Sequence, residues 1–238
     1  MLQAIDDDLW VAESDFKMGA IEFGGRMSVI RLEDGSLLLY SPIEIDDALA
    51  KAVASLGEVR HLVAPSGFHY LFMPAAQKRW PNATSYGPPA ATKKGLTLDV
   101  VLGDHTPEAW RASVDTLMVA GAPDIDEVIL HHRPSKTLVL ADLVFNLHDA
   151  RGWLTPLFFR MLGVWGKLKQ SPLWRFALTK DREAAQASLR PMWAWDFERI
   201  VLCHGHIVEG ADAKARLAHG MRWMCRGHEQ RQLAAHAS

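Results

Sequence analysis

The sequence has few cysteines, no strong charge bias and no long apolar run. Two cysteines occur in 238 residues, which argues against a disulfide scaffold and favours a reducing compartment. Lysine and arginine number 26 against 28 acidic residues, so no net positive field draws the chain to nucleic acid. No uncharged apolar run approaches the ~20 residues that span a bilayer, and the N-terminus lacks the pattern of a secretory signal. These absences predict a cytoplasmic protein with no transmembrane segment.

The composition is that of an ordinary globular protein. Apolar residues make up 49% and charged residues 23%, which excludes disorder, collagen and coiled coil as the dominant state. A chain of 238 residues lies near the upper end of what one hydrophobic core serves. We therefore predict a single domain over residues 1–238.

Strand and helix patterns alternate in the first half of the chain. Residues 26–32 and 37–42 predict a hairpin, with Asp34-Gly35 supplying positive φ angles in a tight turn. Residues 45–56 carry apolar side chains at helical spacing, and residues 59–64 form a short apolar run typical of a buried strand. This alternation predicts a layered α/β architecture.

The alternation of strand and helix patterns continues in the second half of the chain, on both sides of an insert at residues 151–180. Residues 114–119 and 127–132 are predicted strands, and a turn leads from the second into a further strand over residues 136–142. Residues 199–206 form an apolar strand that runs into a polar turn, and residues 212–226 predict the last helix.

Residues 151–180 form an insert that is both basic and aromatic. The insert has six basic side chains, six aromatic side chains and no acidic one. Thr155-Pro156 predicts an N-cap and a first helical residue, and Ser171-Pro172 repeats this signal. We expect the apolar stripe of the insert to pack on the core; a lid, a dimer surface or contact with anionic lipid are the alternatives. The stripe comprises Leu157, Phe158, Met161, Leu162, Trp165 and Leu168.

Several polar side chains fall at the ends of predicted strands, where layered α/β folds build their sites. His69 follows one strand, Asp142 closes another, and His204 and His206 follow a third. Such groups suit a zinc or iron site or an acid/base pair, although a single histidine is more often structural. His131-His132 lie on one predicted strand and point to opposite faces, so at most one of them joins a site.

Familiar catalytic motifs are absent. The sequence has no glycine-rich dinucleotide or nucleoside triphosphate loop and no Gly-x-Ser-x-Gly elbow. Ser66 is interpreted as a turn residue. Cys203 is either a thiolate nucleophile or, as its place at the end of an apolar strand favours, a buried inert thiol.

The order of these pieces resembles the metallo-β-lactamase superfamily, over nearly the whole chain. The resemblance rests on the strand at residues 37–42, the loop at 61–70, the strand at 136–145 and the Val201-Leu-Cys-His-Gly205 turn. This chain is similar to a branch of that superfamily in which the metal loop is degenerate. The implied fold is an αββα sandwich of two mixed β-sheets flanked by helices.

The resemblance also implies a reduced metal site. Where two-metal members read His-x-His-x-Asp-His, this chain reads Pro65-Ser-Gly-Phe-His-Tyr70, so that His69 stands at the aspartate and Tyr70 at the last histidine. The next family ligand falls near Pro123, and only Asp142 and His204 match their counterparts.

The remaining ligand set leaves two possibilities for the site. One is a single zinc, iron or manganese ion on His69, Asp142 and His204, with His131, His132 or His206 as a further ligand. The other is no metal, which the small number of ligands favours.

The resemblance implies a hydrolase of a small ester, lactone or thioester, with His69, Asp142 and His204 as the catalytic residues and the insert as a lid. Without metal, His69 and His204 would act as general base and acid, with Asp142 orienting one imidazole. The alternative is a non-catalytic or metal-independent member that binds a small molecule, a partner or an anionic surface through residues 151–180. A homodimer through the same insert is a further expectation.

Overall fold

The computed structural model describes residues 1–149 and 153–225. The first strands are β1 (Leu2–Asp6), β2 (Leu9–Ser14), β3 (Lys17–Met18), β4 (Ile21–Glu22), β5 (Gly25–Arg31), β6 (Leu37–Tyr40), β7 (Val59–Val63), β8 (Thr84–Gly87) and β9 (Val100–Val101). The larger sheet has the order β1-β2-β5-β6-β7-β8-β9, while β3 and β4 pair with each other. Neighbours from β1 to β6 are antiparallel and those from β6 to β9 are parallel, so the sheet is mixed.

The second sheet contains β10 (Val114–Met118), β11 (Val128–His132), β12 (Thr137–Leu140), β13 (Arg199–Leu202) and β14 (Val208–Glu209), in that spatial order. β12 and β13 run parallel, whereas the other neighbours are antiparallel. The two parallel strands therefore end at the same edge of the sheet.

The described helices are α1 (Asp47–Ala54), α2 (Met73–Arg79), α3 (Pro89–Lys93), α4 (Leu154–Met161), α5 (Arg182–Ser188), α6 (Arg190–Ala194) and α7 (Ala213–Gly220), with a 3-10 turn at Glu108–Trp110 and a π-helical turn at Trp174–Leu178. Six of the seven described α-helices cover the outer faces of the sheets, and α4 packs against the β3-β4 hairpin.

Three buried clusters define four layers. Between the sheets, side chains such as Ile30 and Val63 of the larger sheet pack with Leu130 and Val201 of the smaller one. Apolar side chains from α1 to α3 cover the outer face of the larger sheet, and those from α5 to α7 cover the outer face of the smaller sheet. The predicted αββα sandwich of two mixed sheets is confirmed.

The predicted hairpin of β5 and β6 is present, but its turn differs from the prediction. Only Gly35 has a positive φ, of +80°, and Asp34 does not. The Asp34 carboxylate instead accepts hydrogen bonds from the backbone N–H and the hydroxyl of Ser36, at 2.9 and 2.6 Å. The side chain satisfies donors within the turn, so one left-handed residue is enough to reverse the chain.

The insert also departs from its prediction. Helix α4 begins at Leu154 after Trp153, so Thr155 is not the N-cap. Its buried hydroxyl accepts the backbone N–H of Glu22 at 3.0 Å and ties α4 to the β3-β4 hairpin. The predicted apolar stripe is wrong in part, because Met161 is 80% exposed while Phe159 is buried.

The ends of two predicted elements fall outside the described residues. The insert is described from Trp153 onwards, and after Pro172 the chain forms the π-helical turn rather than a second α-helix. Helix α7 ends at Gly220, six residues before the predicted end at Arg226, which is itself outside the described residues. That residues 1–238 form one domain stays a prediction.

Candidate metal centre

Three loops at one rim of the sandwich bring His69, Asp142 and His204 together. His69 lies in the loop after β7, Asp142 follows β12 by two residues, and His204 follows β13 by two residues. Asp142 and His204 are neighbours because β12 and β13 are parallel, while His69 reaches them from the opposite sheet. Asp142 and His204 are buried, and His69 is largely so.

The distances between pairs of side-chain atoms in this cluster are close to those between two ligand atoms of a zinc site. His69 Nε2 lies 3.2 Å from Asp142 Oδ2, His204 Nε2 lies 3.4 Å from Asp142 Oδ1, and the two Nε2 atoms are 3.2 Å apart. In a tetrahedral zinc site with ligand distances of about 2.0 to 2.1 Å, any two ligand atoms lie roughly 3.3 to 3.4 Å apart. Each imidazole lies near a different oxygen of Asp142, so the three distances do not form a single triangle of ligand atoms. One ligand atom from each residue can still be chosen so that all three lie within 4.8 Å of one another, which suits a shared ion with a further position open.

Backbone carbonyls fix the tautomer of His204. Its Nδ1 lies 3.2 Å from the carbonyl oxygen of Phe23 and 3.1 Å from that of Gly24. Carbonyl oxygens only accept hydrogen bonds, so Nδ1 carries a proton and donates it. In the neutral ring the Nε2 lone pair is then directed at the cluster, as in most histidines that bind metals. The Phe145 ring stacks on the imidazole, with centroids 5.7 Å apart.

His69 is oriented by two serines. Its Nδ1 lies 2.9 Å from the Ser41 hydroxyl, and Ser41 itself follows β6 with a φ of +57°. Ser66 Oγ accepts the backbone N–H groups of Phe68 and His69, each at 3.2 Å, which is the turn-forming role predicted for it. Nε2 of His69 is left to face the cluster.

The loop that carries Asp142 is held by Glu127 and Trp174. The buried Glu127 carboxylate accepts the backbone N–H of Ala141 with one oxygen and that of Asp142 with the other, both at 2.9 Å. The buried Trp174 indole N–H donates to the Asp142 carbonyl at 2.7 Å. These contacts fix the backbone of Asp142 independently of its side chain.

Burial and mutual charge shift the pKa values of these groups in opposite directions. Burial lowers the pKa of His69, but the Asp142 carboxylate outweighs it and the pKa ends well above the ordinary value. Burial lowers the pKa of His204 to about 4. Burial raises the pKa of Asp142, yet the adjacent imidazoles bring it below its ordinary value. Burial, together with the Asp142 charge, raises the pKa of Glu127 to about 8.

These pKa shifts indicate where the protons of the cluster lie when no metal is bound. A doubly protonated His69 donates from Nδ1 to Ser41 and from Nε2 to the Asp142 carboxylate, while His204 stays neutral. A divalent cation would displace the proton on His69 Nε2, so metal binding is expected to release a proton.

We expect the stability of the metal-free protein to peak near pH 6.5, the ordinary histidine pKa. As the pH rises above 6.5, native His69 and Glu127 keep protons that the unfolded chain has lost, so the free energy of unfolding falls. As the pH drops from 6.5 towards 4, the unfolded chain takes up protons that native His204 and His132 refuse. These two histidines outweigh the opposing effect of Glu127, so the free energy of unfolding falls again. Urea denaturation of chelator-treated protein between pH 4 and 9 measures both limbs.

The variants separate the two limbs of that profile. His204→Asn is expected to make the acid limb shallower, with the part due to His132 remaining. His69→Gln is expected to make the alkaline limb shallower, with the part due to Glu127 remaining. A stability that rises steadily from pH 4 to 9 would contradict the assignment.

The other histidines considered from the sequence lie elsewhere. His131 stacks on Trp195 and bonds to Asp115, and His132 bonds to Ser135. His206 is exposed and bonds to Asp149. Among the described residues, none of these histidines belongs to the group that could hold a metal, so the recruitment of one of them as a further ligand is not seen.

The other positions at which two-metal members of the superfamily are expected to carry ligands add no ligand here. Among the described residues, the group that could hold a metal comprises His69, Asp142 and His204. Tyr70 lies in the cavity wall, and the Pro123 carbonyl accepts a hydrogen bond from Lys93. Cys203 is buried and its thiol contacts His69. Three ligands suit one ion rather than two.

Sequence reasoning missed the residues that orient the three ligands. Glu127 had a detectable signal, since it is an acidic residue at the start of an apolar strand. Ser41 and the carbonyls of Phe23 and Gly24 had none, because their roles depend on contacts between segments far apart in the chain.

The cluster forms one wall of an apolar cavity of about 540 Å³. The cavity lies between the β3-β4 hairpin, the loop around residues 68–72 and the insert. Phe23 packs edge-on against Phe158 and Phe159, with centroids 5.9 and 5.3 Å apart. A small polar group in a largely apolar pocket of this size is typical of sites for small molecules.

The fold is shared with solved metallo-β-lactamases. A metallo-β-lactamase from Pontibacter korlensis is 14% identical, with 95% of this chain and 99% of that chain covered at a TM-score of 0.64. One from Erythrobacter litoralis is 17% identical, with 92% and 94% covered at a TM-score of 0.64. VMB-1 is 10% identical, with 94% and 95% covered at a TM-score of 0.66. The chain thus has the metallo-β-lactamase fold, as the sequence resemblance indicated.

The family of the chain follows from its sequence. The model of a family described as a domain of unknown function, DUF4336, matches residues 6–157, and the chain belongs to this family. The match includes His69 and Asp142 but ends before His204. No curated protein matches the sequence.

Several properties that the sequence predicts stay predictions after these comparisons. In the described part of the chain, no helix is long and apolar enough to cross a membrane. The cytoplasmic location, the small-molecule substrate and the homodimer through the insert stay predictions.

Proposed function

We propose that this protein is a hydrolase that cleaves a small ester, thioester or lactone with one divalent metal ion held by His69, Asp142 and His204. The observation that carries the proposal is the 3.2 to 3.4 Å spacing of the two Nε2 atoms and the Asp142 oxygens at the wall of an apolar cavity. When bound, the ion would lower the pKa of a water molecule and polarise a carbonyl group.

The chain's own residues supply the rest of the chemistry. Ser41 and the carbonyls of Phe23 and Gly24 keep both Nε2 atoms directed inward. Asp142 has two oxygens, so that one can ligate while the other accepts a proton from an attacking water. The aromatic walls lower the local dielectric constant beside the reacting carbonyl, which strengthens electrostatic interactions there.

The test is metal-dependent hydrolysis by chelator-treated protein. We expect one equivalent of zinc, iron(II) or manganese to bind and to restore cleavage of at least one member of a panel of p-nitrophenyl esters, acyl thioesters and lactones. His206→Ala is the matched control, since this exposed histidine lies two residues beyond His204 and outside the cluster.

Two outcomes would overturn the proposal. One is fully metal-loaded protein that cleaves none of the three carbonyl classes. The other is cleavage that persists at the same rate after the metal is removed. In the second case the hydrogen-bonded cluster, with protonated His69 and neutral His204, supports the metal-free general acid and base that the sequence left as an alternative.

A further inference from the structure

The walls of the cavity around the metal centre are almost entirely hydrocarbon. Beyond His69, Asp142 and His204, Lys94 is the one charged side chain among the described residues that line it. Serine hydroxyls supply most of the other polar side-chain atoms, and one of them, on Ser41, already bonds to His69. A ligand that enters this space therefore meets polar partners at one end and apolar walls along the rest.

The walls of the cavity are held in place by contacts between separate elements of the fold. The hydrogen bond from the Glu22 backbone N–H to Thr155 holds the β3-β4 hairpin against α4. Phe23, which follows the hairpin, packs on Phe158 and Phe159 in the cavity wall. Phe16 packs edge-on against Phe72 at a centroid distance of 6.0 Å. Aromatic rings placed by several independent elements make the pocket preformed for an apolar occupant.

The apolar surface continues outward from the cavity. Met18, Phe68, Leu71 and Leu173 line the cavity and are also exposed. Contiguous apolar surface that faces solvent is typical of a site for an apolar ligand or partner. A space of about 540 Å³ with an open apolar rim therefore suits a chain-like hydrocarbon that extends from the metal centre to the surface.

We propose that the cavity binds the linear alkyl or acyl chain of the substrate, with the reactive carbonyl at His69, Asp142 and His204. This inference rests on the proposed function for the position of the carbonyl, but chain binding itself requires neither metal nor catalysis. The substrate class is then an acyl ester, acyl thioester or alkyl-bearing lactone with a medium-length tail.

Binding of uncharged 1-alkanols to metal-free protein tests the inference. Hexanol, octanol and decanol carry the same hydroxyl, so differences in affinity report only the hydrocarbon. We expect the affinity, followed by calorimetry, to rise roughly 4-fold for each added methylene that enters the cavity. Equal affinity for the three alcohols would overturn the proposal.

Two leucines of the insert give a matched pair of variants. Leu162 lines the cavity at the end of α4, whereas Leu157 on the same helix is exposed and does not line it. Leu162→Gln is expected to weaken decanol binding roughly 5-fold or more, because the ligand then lies against an amide, and Leu157→Gln is expected to leave it unchanged. Equal weakening in both variants would place the binding surface outside the cavity and overturn the proposal.

The outcomes separate this inference from the proposed hydrolase. Protein that binds decanol tightly but cleaves no ester with metal bound would overturn the hydrolase alone. An active hydrolase that shows no gain in alkanol affinity with chain length would overturn the acyl-chain pocket alone.

Discussion

Replacing His204 or Asp142 by alanine is expected to lower the affinity for a divalent metal by at least about 100-fold. Loss of a residue that merely orients a ligand costs about 10- to 100-fold, and each of these variants removes one of three ligands. Metal content after dialysis against one equivalent of zinc, together with calorimetric titration, measures the loss. Asp142→Asn tests the same point with the shape of the side chain retained.

The control for these ligand variants is His206→Ala, which alters a histidine at the same strand end. It is expected to keep a metal stoichiometry near one, as in the unaltered protein. Unfolding transitions by circular dichroism check that each variant folds. If folded His204→Ala kept full metal affinity, His204 would have no place in the centre.

The Gly205→Ala variant is expected to lose about 2 to 5 kcal/mol of stability, from a left-handed backbone and a close contact. Gly205 has a φ of +88°, and a Cβ there would lie 2.3 Å from the backbone oxygen of Asn146. The backbone at Asn146 cannot move away from the added Cβ freely, because the Asn146 carbonyl also accepts the backbone N–H of His206 at 2.8 Å. Urea denaturation measures the change.

Gly95 provides a control with almost the same backbone. Its φ is +89°, but a Cβ there would meet nothing within 4 Å. Gly95→Ala is therefore expected to cost only the left-handed conformation, about 1 to 2 kcal/mol. Equal losses in the two variants would mean that the contact with Asn146 relaxes at no cost. Because Gly205 follows His204 directly, Gly205→Ala is also expected to weaken metal binding, whereas Gly95→Ala is not.

The strands that carry the candidate site were predictable because their patterns are local. The apolar runs that became β7, β12 and β13 are short and bounded by polar turns, so their ends could be read from neighbouring residues. Asp142 and His204 could be proposed on this basis, since both follow such runs directly. His69 could be proposed in the same way, and the resemblance to the metallo-β-lactamase superfamily added the order of the layers.

The insert could not be predicted in the same way. Helical spacing predicted that Met161 and Leu157 face the core, yet Phe159 is buried and Met161 is exposed. The hydrogen bond from Glu22 to Thr155 sets how the helix is rotated against the hairpin. Periodicity along α4 contains no information about a contact with a segment more than a hundred residues away.

The sequence by itself determined the apolar strands and the three polar residues, His69, Asp142 and His204, that follow them. Tertiary structure alone decided that an imidazole from one sheet meets a carboxylate and an imidazole from the other at coordination distances. It also decided that the histidines at 131, 132 and 206 stay apart and that an apolar cavity adjoins the centre. The physical reason is that strand patterns depend on neighbouring residues, whereas ligand geometry depends on how separate loops pack, which residue spacing along the chain does not encode.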